Sequence, residues 1–259
     1  MTILPLGLGL GVMVIVMAAL WWLQRRTGNA GIVDVGWSAG VGVVGVLVAA
    51  LGDGWAPRRW LVGAMIALWS LRLAAYILRR VLGEGEDARY TRLRTDWGAA
   101  FQRRLFLFFE AQAVLAVLFA VPVWVVASDP RPEWGARELV AVVVWLVAVL
   151  GETVADRQLA AFRADPGNSG RTCTVGLWRY SRHPNYFFEW LHWWAYVALG
   201  IDAPLGAVSL LGPALMLLFL LKVTGIPATE ARALLSRADY AEYRRTTSAF
   251  VPWFPRRRP

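Results

Sequence analysis

The sequence predicts an all-α integral membrane protein, a single domain (1–259) built as a bundle of seven transmembrane helices. A short amphipathic helix is expected near its C-terminus, on the cytoplasmic side. Four observations lead to this fold class. Hydrophobic residues make up 58% of the 259, more than soluble domains usually carry. Mean hydropathy is +0.47, and apolar runs of about twenty residues, the length that crosses a bilayer, recur along the chain. Several of the fifteen Trp lie at the ends of these runs, as in interfacial belts.

Seven apolar runs are the predicted spans. In chain order they cover 3–22, 31–51, 60–80, 104–127, 138–160, 185–201 and 204–223. The first run is expected to remain as a span, because no Lys or Arg precedes it and MAALWWLQRR offers no small-residue cleavage site. A polar stretch between the third and fourth runs is predicted to be a short amphipathic connection. After the last run, Thr229 is the expected N-cap of a tail helix over 229–245 whose small and apolar residues share one face.

The net charge of +9 is carried by arginines in alternate connections. They are concentrated between the third and fourth runs, between the fifth and sixth, and after the seventh, whereas the IDAP connection has none. By the positive-inside rule, this pattern predicts an outside N-terminus and a cytoplasmic C-terminus. It also argues against nucleic acid as a partner. With one Cys and two His, neither a disulfide framework nor a metal site is predicted.

The stretch GVGVVG matches the G-x-G-x-x-G fingerprint of dinucleotide-binding folds at Gly40, Gly42 and Gly45. That fingerprint requires a preceding strand and a helix N-terminus, but these glycines lie inside an apolar span. Gly36 and Gly40 have the small-xxx-small spacing that lets two helices approach closely. Helix packing is therefore the favoured interpretation.

Ionisable and polar residues inside spans are costly and usually face an interior cavity. Some could instead be satisfied structural pairs, such as Arg72 with Asp34 or Glu189 with His192. Four groups that converge favour a polar cavity that opens to the cytoplasm. The groups are Asp34 in span two; Arg72 and Tyr76 in span three; Glu152 and Asp156 in span five; and Asn185, Glu189 and His192 in span six.

The stretch GLWRYSRHPNYFFEW brings several hydrogen-bonding groups, among them His183, to the start of an apolar helix. Pro184 suits the first turn of that helix, whose free N–H groups favour an anion. Arg179 and Arg182 add charge, and the planar fork of arginine suits phosphate. Glu152 and Asp156, one turn apart, would repel each other unless they accept hydrogen bonds from ligand hydroxyls, amides or a neighbouring arginine. Together these residues predict a nucleotide across spans five and six.

The same stretch, with the tail TGIPATEARALLSRADYAEYRRTTSAFVPWFP, resembles the bacterial membrane proteins related to steroid 5-alpha-reductases. The resemblance implies a location in a bacterial inner membrane, with NADPH in the cytoplasmic half and an apolar enone that enters from the lipid. It also implies that Asp34, with a tyrosine such as Tyr76, polarises the substrate ketone. The cofactor contacts that it implies are Asp156, Arg171, Arg179, Tyr180, Asn185, Glu189, Tyr240, Tyr243 and Arg244. Glu152, Arg182 and His183 complete the predicted cofactor set.

The leading hypothesis is therefore an NADPH-dependent reductase of the carbon–carbon double bond in a lipophilic enone, such as a 3-oxo-Δ4 steroid. An arginine among 171, 179, 182 and 244 is expected to bind the 2′-phosphate. The R-H-P-x-Y motif also occurs in isoprenylcysteine carboxyl methyltransferases, so a membrane methyltransferase that uses S-adenosylmethionine is the alternative. A transporter with a midplane polar site is a third hypothesis. Expected partners are a lipophilic small molecule and membrane lipid, with the protein itself a monomer.

Overall fold

The structure is a computed structural model that describes residues 1–83 and 86–256. Arg257 and Arg258, two of the arginines counted after the last predicted span, lie outside the described residues. All regular secondary structure within the described ranges is helical. The helices are α1 (Leu4–Thr27), α2 (Ile32–Leu51), α3 (Ala56–Gly83), α4 (Ala88–Trp97), α5 (Phe101–Ala127), α6 (Ala136–Ala164), α7 (Pro184–Gly200), α8 (Leu211–Leu218), α9 (Ile226–Ser236) and α10 (Tyr240–Thr246).

Within the described ranges, six segments are long and apolar enough to cross a membrane, judged by length and composition. They are Leu4–Thr27, Ile32–Leu51, Ala56–Gly83, Arg89–Ala127, Ala136–Ala164 and Gly206–Ser236. The predicted sixth span, 185–201, is α7, which has 17 residues and lies at the short end of the spanning range. Six spans of this kind support a membrane protein, whereas the seventh stays a prediction.

The last predicted span and the tail helix differ from their predictions. A 3₁₀ turn (Gly206–Leu210), α8 and a π-helix (Phe219–Val223) replace one regular helix over 204–223. The chain then breaks at Gly225, where a Cβ would collide with the carbonyl oxygen of Leu220. The predicted tail helix over 229–245 is two helices, α9 and α10, because Arg237 adopts an extended conformation. Thr229 is not an N-cap; its hydroxyl donates to the carbonyl of Gly225 within α9, at 3.0 Å.

The chain divides into two compact units. Unit 1 comprises Met1–Glu133 and Gly200–Gly212, and unit 2 comprises Trp134–Leu199 and Pro213–Pro259. In unit 1, α2 contacts α1, α3 and α5. Its glycines permit this: a Cβ on Gly40 would collide with Met13 of α1, and one on Gly45 would lie 2.7 Å from Ile66 of α3. The predicted packing role of these glycines is confirmed.

In unit 2, aromatic side chains fill much of the interior. Trp193 and Tyr196 of α7 are fully buried, and Trp178 is nearly so. The indole N–H of Trp178 donates to the carbonyl of Ala155 in α6, at 2.9 Å. Trp178 and Trp193 therefore pack inside unit 2.

Candidate functional site

The predicted polar residues of α6 and α7 meet in unit 2. Asn185, in the first turn of α7, donates its side-chain N–H to Asp156 Oδ1 at 3.3 Å. Glu152, Asp156 and Glu189 are all buried. The helices approach closely because α6 has a glycine at their contact: a Cβ on Gly151 would lie 2.5 Å from the Phe188 ring.

The side-chain oxygen of Asn185 is buried and has no hydrogen-bond partner among the described residues. Buried polar atoms in folded proteins almost always have a partner. An orphaned acceptor beside the Asp156 carboxylate therefore suits a ligand that offers N–H or O–H donors. We call the set Glu152, Asp156, Asn185 and Glu189 the polar face.

Just before α7, the chain from Trp178 to His183 is covered by the tail. The amide of Arg182 donates to the carbonyl of Ser248 at 2.8 Å, and the amide of Trp253 donates to the carbonyl of Tyr180 at 2.8 Å. The hydroxyl of Ser181 donates to the carbonyl of Phe250 at 2.8 Å. These bonds satisfy backbone groups that no helix or strand satisfies, and they hold the tail against the start of α7.

Two tail tyrosines complete this contact. Tyr243 donates its hydroxyl to the carbonyls of Trp178 and Ser181. Tyr240 and Tyr243 are buried with their ring centroids 5.8 Å apart. Burial, together with the nearby negative charge of Glu230, raises the pKa of Tyr240 to about 12. Burial raises the pKa of Tyr243 well above its ordinary value, so both hydroxyls remain protonated and can donate at neutral pH.

Glu230 of α9 joins three of the predicted site residues. Its Oε1 accepts from Arg182 Nε at 2.7 Å and lies 3.4 Å from His183 Nε2, while its Oε2 lies 3.3 Å from Arg244 Nε. Arg182 also donates to the carbonyls of Arg244 and Thr247. The guanidinium of Arg182 is thus engaged with the protein itself. The predicted site residues do not include Glu230, because its only signal in the sequence was an acidic residue in a basic tail.

His183 is buried beside this carboxylate and stacks on Tyr186, with ring centroids 5.2 Å apart. Burial lowers the pKa of His183 below its ordinary value, although the hydrogen bond to Glu230 acts in the opposite direction. The imidazole is therefore neutral at pH 7.

The other basic members of the predicted set point outward. Arg171 and Arg179 are exposed, and half-buried Tyr180 contacts Phe254 with ring centroids 6.0 Å apart. Next to Arg171, Thr172 donates both its amide and its hydroxyl to Asp239, at 3.0 and 2.5 Å. Burial alone would raise the pKa of Asp239, but these hydrogen bonds outweigh it and hold that pKa below its usual range.

The predicted catalytic residues, Asp34 and Tyr76, lie in unit 1. Asp34 accepts from Tyr90 OH at 2.8 Å and from Arg89 Nη2 at 2.9 Å. The suggested bridge between Arg72 and Asp34 is therefore wrong, because both carboxylate oxygens face the start of α4 instead. Arg89 and Tyr90 lie more than fifty residues from Asp34 in sequence, and no local pattern connects them. Tyr76 is on α3 and half-buried.

Among the described residues, no group of three or more His, Cys, Asp or Glu is placed to hold a metal ion.

A family model with the description "Protein of unknown function (DUF1295)" matches residues 20–247. No curated protein matches the chain, and no solved structure matches it.

Proposed function

The chain belongs to the DUF1295 protein family, and from this premise and the geometry of unit 2 we propose that it is an NADPH-dependent membrane reductase. Its substrate is a lipophilic enone, such as a 3-oxo-Δ4 steroid, that reaches the protein from the bilayer. The reaction reduces the carbon–carbon double bond next to the ketone. The resemblance of the GLWRYSRHPNYFFEW stretch and the tail to steroid 5-alpha-reductases supports the choice of reaction.

The observation that carries the proposal is the buried, unpartnered oxygen of Asn185 beside Asp156. A nicotinamide dinucleotide offers ribose hydroxyls and a carboxamide N–H, which are donors that suit this oxygen and the neighbouring carboxylates. When bound, NADPH supplies a hydride. Glu152, Asp156, Asn185 and Glu189 hold and orient the cofactor in this proposal, and the tail contacts help to exclude water.

Phosphate groups require cations that the protein does not already use. Arg171 and Arg179 are exposed and remain candidates for this role. Arg182 and Arg244 pair with Glu230, so we assign them to holding the tail in place. The predicted role of Arg182 in phosphate binding is thereby replaced by a structural role.

Addition of a hydride to the β-carbon of an enone moves negative charge onto the ketone oxygen, so the site needs a hydrogen-bond donor there. Asp34 accepts from Arg89 and from the hydroxyl of Tyr90, so the single hydroxyl proton of Tyr90 is already used. Tyr76 therefore stays the proposed donor to the ketone, and Asp34 is assigned to holding Arg89 and Tyr90.

A ligand comparison tests the proposal. We would measure the melting temperature of the detergent-solubilised protein with NADPH, NADH or S-adenosylmethionine, since a ligand at about 100 times its Kd stabilises by roughly 2.7 kcal/mol. NADPH is expected to raise the melting temperature of the wild type, and to raise that of Asn185→Ala less. Oxidation of NADPH that depends on an added enone is the activity readout. Stabilisation by S-adenosylmethionine alone would reject the reductase in favour of the methyltransferase.

A further inference from the structure

A cavity of about 360 Å³ lies in unit 2, at the C-terminal end of α6 and the loop that follows it. Three arginines from separate parts of the chain line it: Arg163 of α6, Arg171 of the loop, and Arg237 just after α9. Arg163 and Arg171 are exposed and Arg237 is half-buried, so the cavity is open to solvent and water screens part of their mutual repulsion, but three guanidinium groups around one cavity still favour an anion between them. The convergence therefore needs a reason.

These three arginines differ from the others of the region in their partners. Within the described part of the chain, their side chains make no hydrogen bond or ion pair, whereas Arg182 and Arg244 both pair with Glu230. Asp165 is the acid among the lining residues, and both its oxygens already accept bonds: Oδ1 from the Gly167 amide at 2.9 Å, and Oδ2 from Asn168 at 3.3 Å. The lining thus carries three positive charges and one negative charge, and the hydrogen bonds of the loop already occupy both oxygens of that one carboxylate.

The loop adds uncharged donors. Ser169 and Gly170 line the cavity, and neither the Ser169 hydroxyl nor the Gly170 amide has a partner among the residues described. Gly170 has a φ of +72°, a left-handed conformation, and a Cβ added there would meet nothing within 4 Å. A hydroxyl and a free amide beside arginines are the groups with which proteins bind phosphate oxygens.

The cavity walls are held in place. Thr172, next to Arg171, is bonded twice to Asp239, which lies two residues after Arg237. This link ties the loop to the segment between α9 and α10. Arg171 and Arg237 are thus held near each other by a contact that does not use their own side chains.

We infer that this cavity binds a phosphomonoester. Such a group carries a charge of about −1.5 to −2 at pH 7 and three strong acceptor oxygens, which matches the excess of positive charge and the free donors. The volume falls in the lower part of the range for small-molecule sites, so there is room for part of the molecule that bears the phosphate. The inference rests on the proposed function in one respect: if NADPH binds, its 2′-phosphate is the phosphomonoester. A lipid with a phosphomonoester headgroup, such as phosphatidic acid, offers the same chemistry.

The test uses a double variant, Arg163→Gln with Arg237→Gln, which leaves Arg171 unchanged. Arg157→Gln is the matched control, since Arg157 is an exposed arginine of α6 outside the cavity. For the full-length protein in detergent, we would measure the Kd of NADPH, NADH, adenosine 2′,5′-bisphosphate and adenosine 5′-phosphate. In nanodiscs, retention of phosphatidic acid against phosphatidylcholine is measured by native mass spectrometry. Equal melting temperatures without ligand show that each variant folds.

If the phosphomonoester belongs to a nucleotide, the double variant should lose roughly tenfold or more in affinity for NADPH and the 2′,5′-bisphosphate. Binding of NADH and of the 5′-phosphate stays within about twofold, and the control binds like the wild type. If the phosphomonoester belongs to a lipid, phosphatidic acid should be retained by the wild type and the control but lost from the double variant, even if no dinucleotide binds. In that case the proposed reductase fails while the phosphate site stands. The inference is overturned if the double variant binds all these probes like the wild type, or if the wild type binds none of them. In the first of these cases, NADPH binding by the wild type would still leave the proposed function in place.

Discussion

At the scale of single residues, Glu230 is the acid on which the tail contact depends. It pairs with Arg182, and both side chains are about nine-tenths buried. We expect Glu230→Gln to lower the free energy of unfolding by about 3 kcal/mol, because it leaves the buried charge of Arg182 without its counter-ion. Glu242→Gln is the control, since Glu242 and Arg245 form a more exposed pair, for which at most about 1 kcal/mol is expected. Thermal unfolding in detergent compares the two; equal losses would contradict the role given to Glu230.

His183 gives the protein a pH dependence whose sign follows from its surroundings. Its pKa in the folded protein is lower than in the unfolded chain, where it is about 6.5. The unfolded chain therefore binds a proton first as the pH falls. The contribution of neutral His183 to stability is complete above pH ~6.5 and is lost as the pH drops through the folded-state pKa.

We therefore expect the wild type to lose stability between pH 7 and pH 5, and His183→Gln to lose less over the same interval. Melting temperatures measured across this range in one buffer series provide the comparison. An identical pH profile for the two proteins would show that another group is responsible.

Tyr76 is the proposed donor to the ketone, and Tyr90 provides a matched control. Tyr76→Phe should lower turnover by about a hundredfold, the typical cost of removing one such donor. Tyr90→Phe should have little effect on turnover, because the hydroxyl of Tyr90 donates to Asp34 instead. Both variants need to bind NADPH like the wild type for the comparison to hold. The reverse order of losses would move the role to Tyr90.

At the scale of elements, the apolar runs predicted α1, α2, α3, α5 and α6 well, because a twenty-residue apolar segment has few alternatives to a helix in a membrane. Pro184 also marked the start of α7 correctly. The break at Gly225 was not predicted, because it depends on close contact with the carbonyl of Leu220. The polar face was anticipated from spacing within α6 and α7. Glu230 and Tyr90 were missed, because their partners lie roughly fifty residues away and only tertiary structure joins them.

The connection between α6 and α7 contains a position that only glycine fits. Gly176 has a φ of +56°, and a Cβ there would collide with the side chain of Gln158, whose oxygen accepts from the Leu177 amide at 2.9 Å. We expect Gly176→Ala to cost more than the roughly 1–2 kcal/mol of the left-handed backbone alone. Gly28→Ala is the control, with a φ of +75° and open space around it. Chemical denaturation measures both; equal costs would mean that Gln158 moves away freely.

At the scale of the whole molecule, the arginine pattern predicts the orientation of the chain in the membrane. Arg92→Cys and Asp202→Cys test this in a Cys173→Ser background, which removes the one natural cysteine. Position 92 has a side chain that is 84% exposed, and position 202 lies in the connection without arginines. In intact cells, a membrane-impermeant thiol reagent should label position 202 and not position 92. Labelling of position 92 from outside would overturn the orientation.

The tail contact has a consequence for how the protein is made. Residues 240–253, which cover the segment from Trp178 to His183, leave the ribosome more than fifty residues after it. During synthesis, α6 can therefore enter the membrane while the carbonyls of Trp178, Tyr180 and Ser181 still await their partners. A message that stops at codon 225 should yield a chain that inserts but in which this segment is open and more easily cut by proteases. Under the reductase proposal, nucleotide affinity would then report that translation has passed the tail.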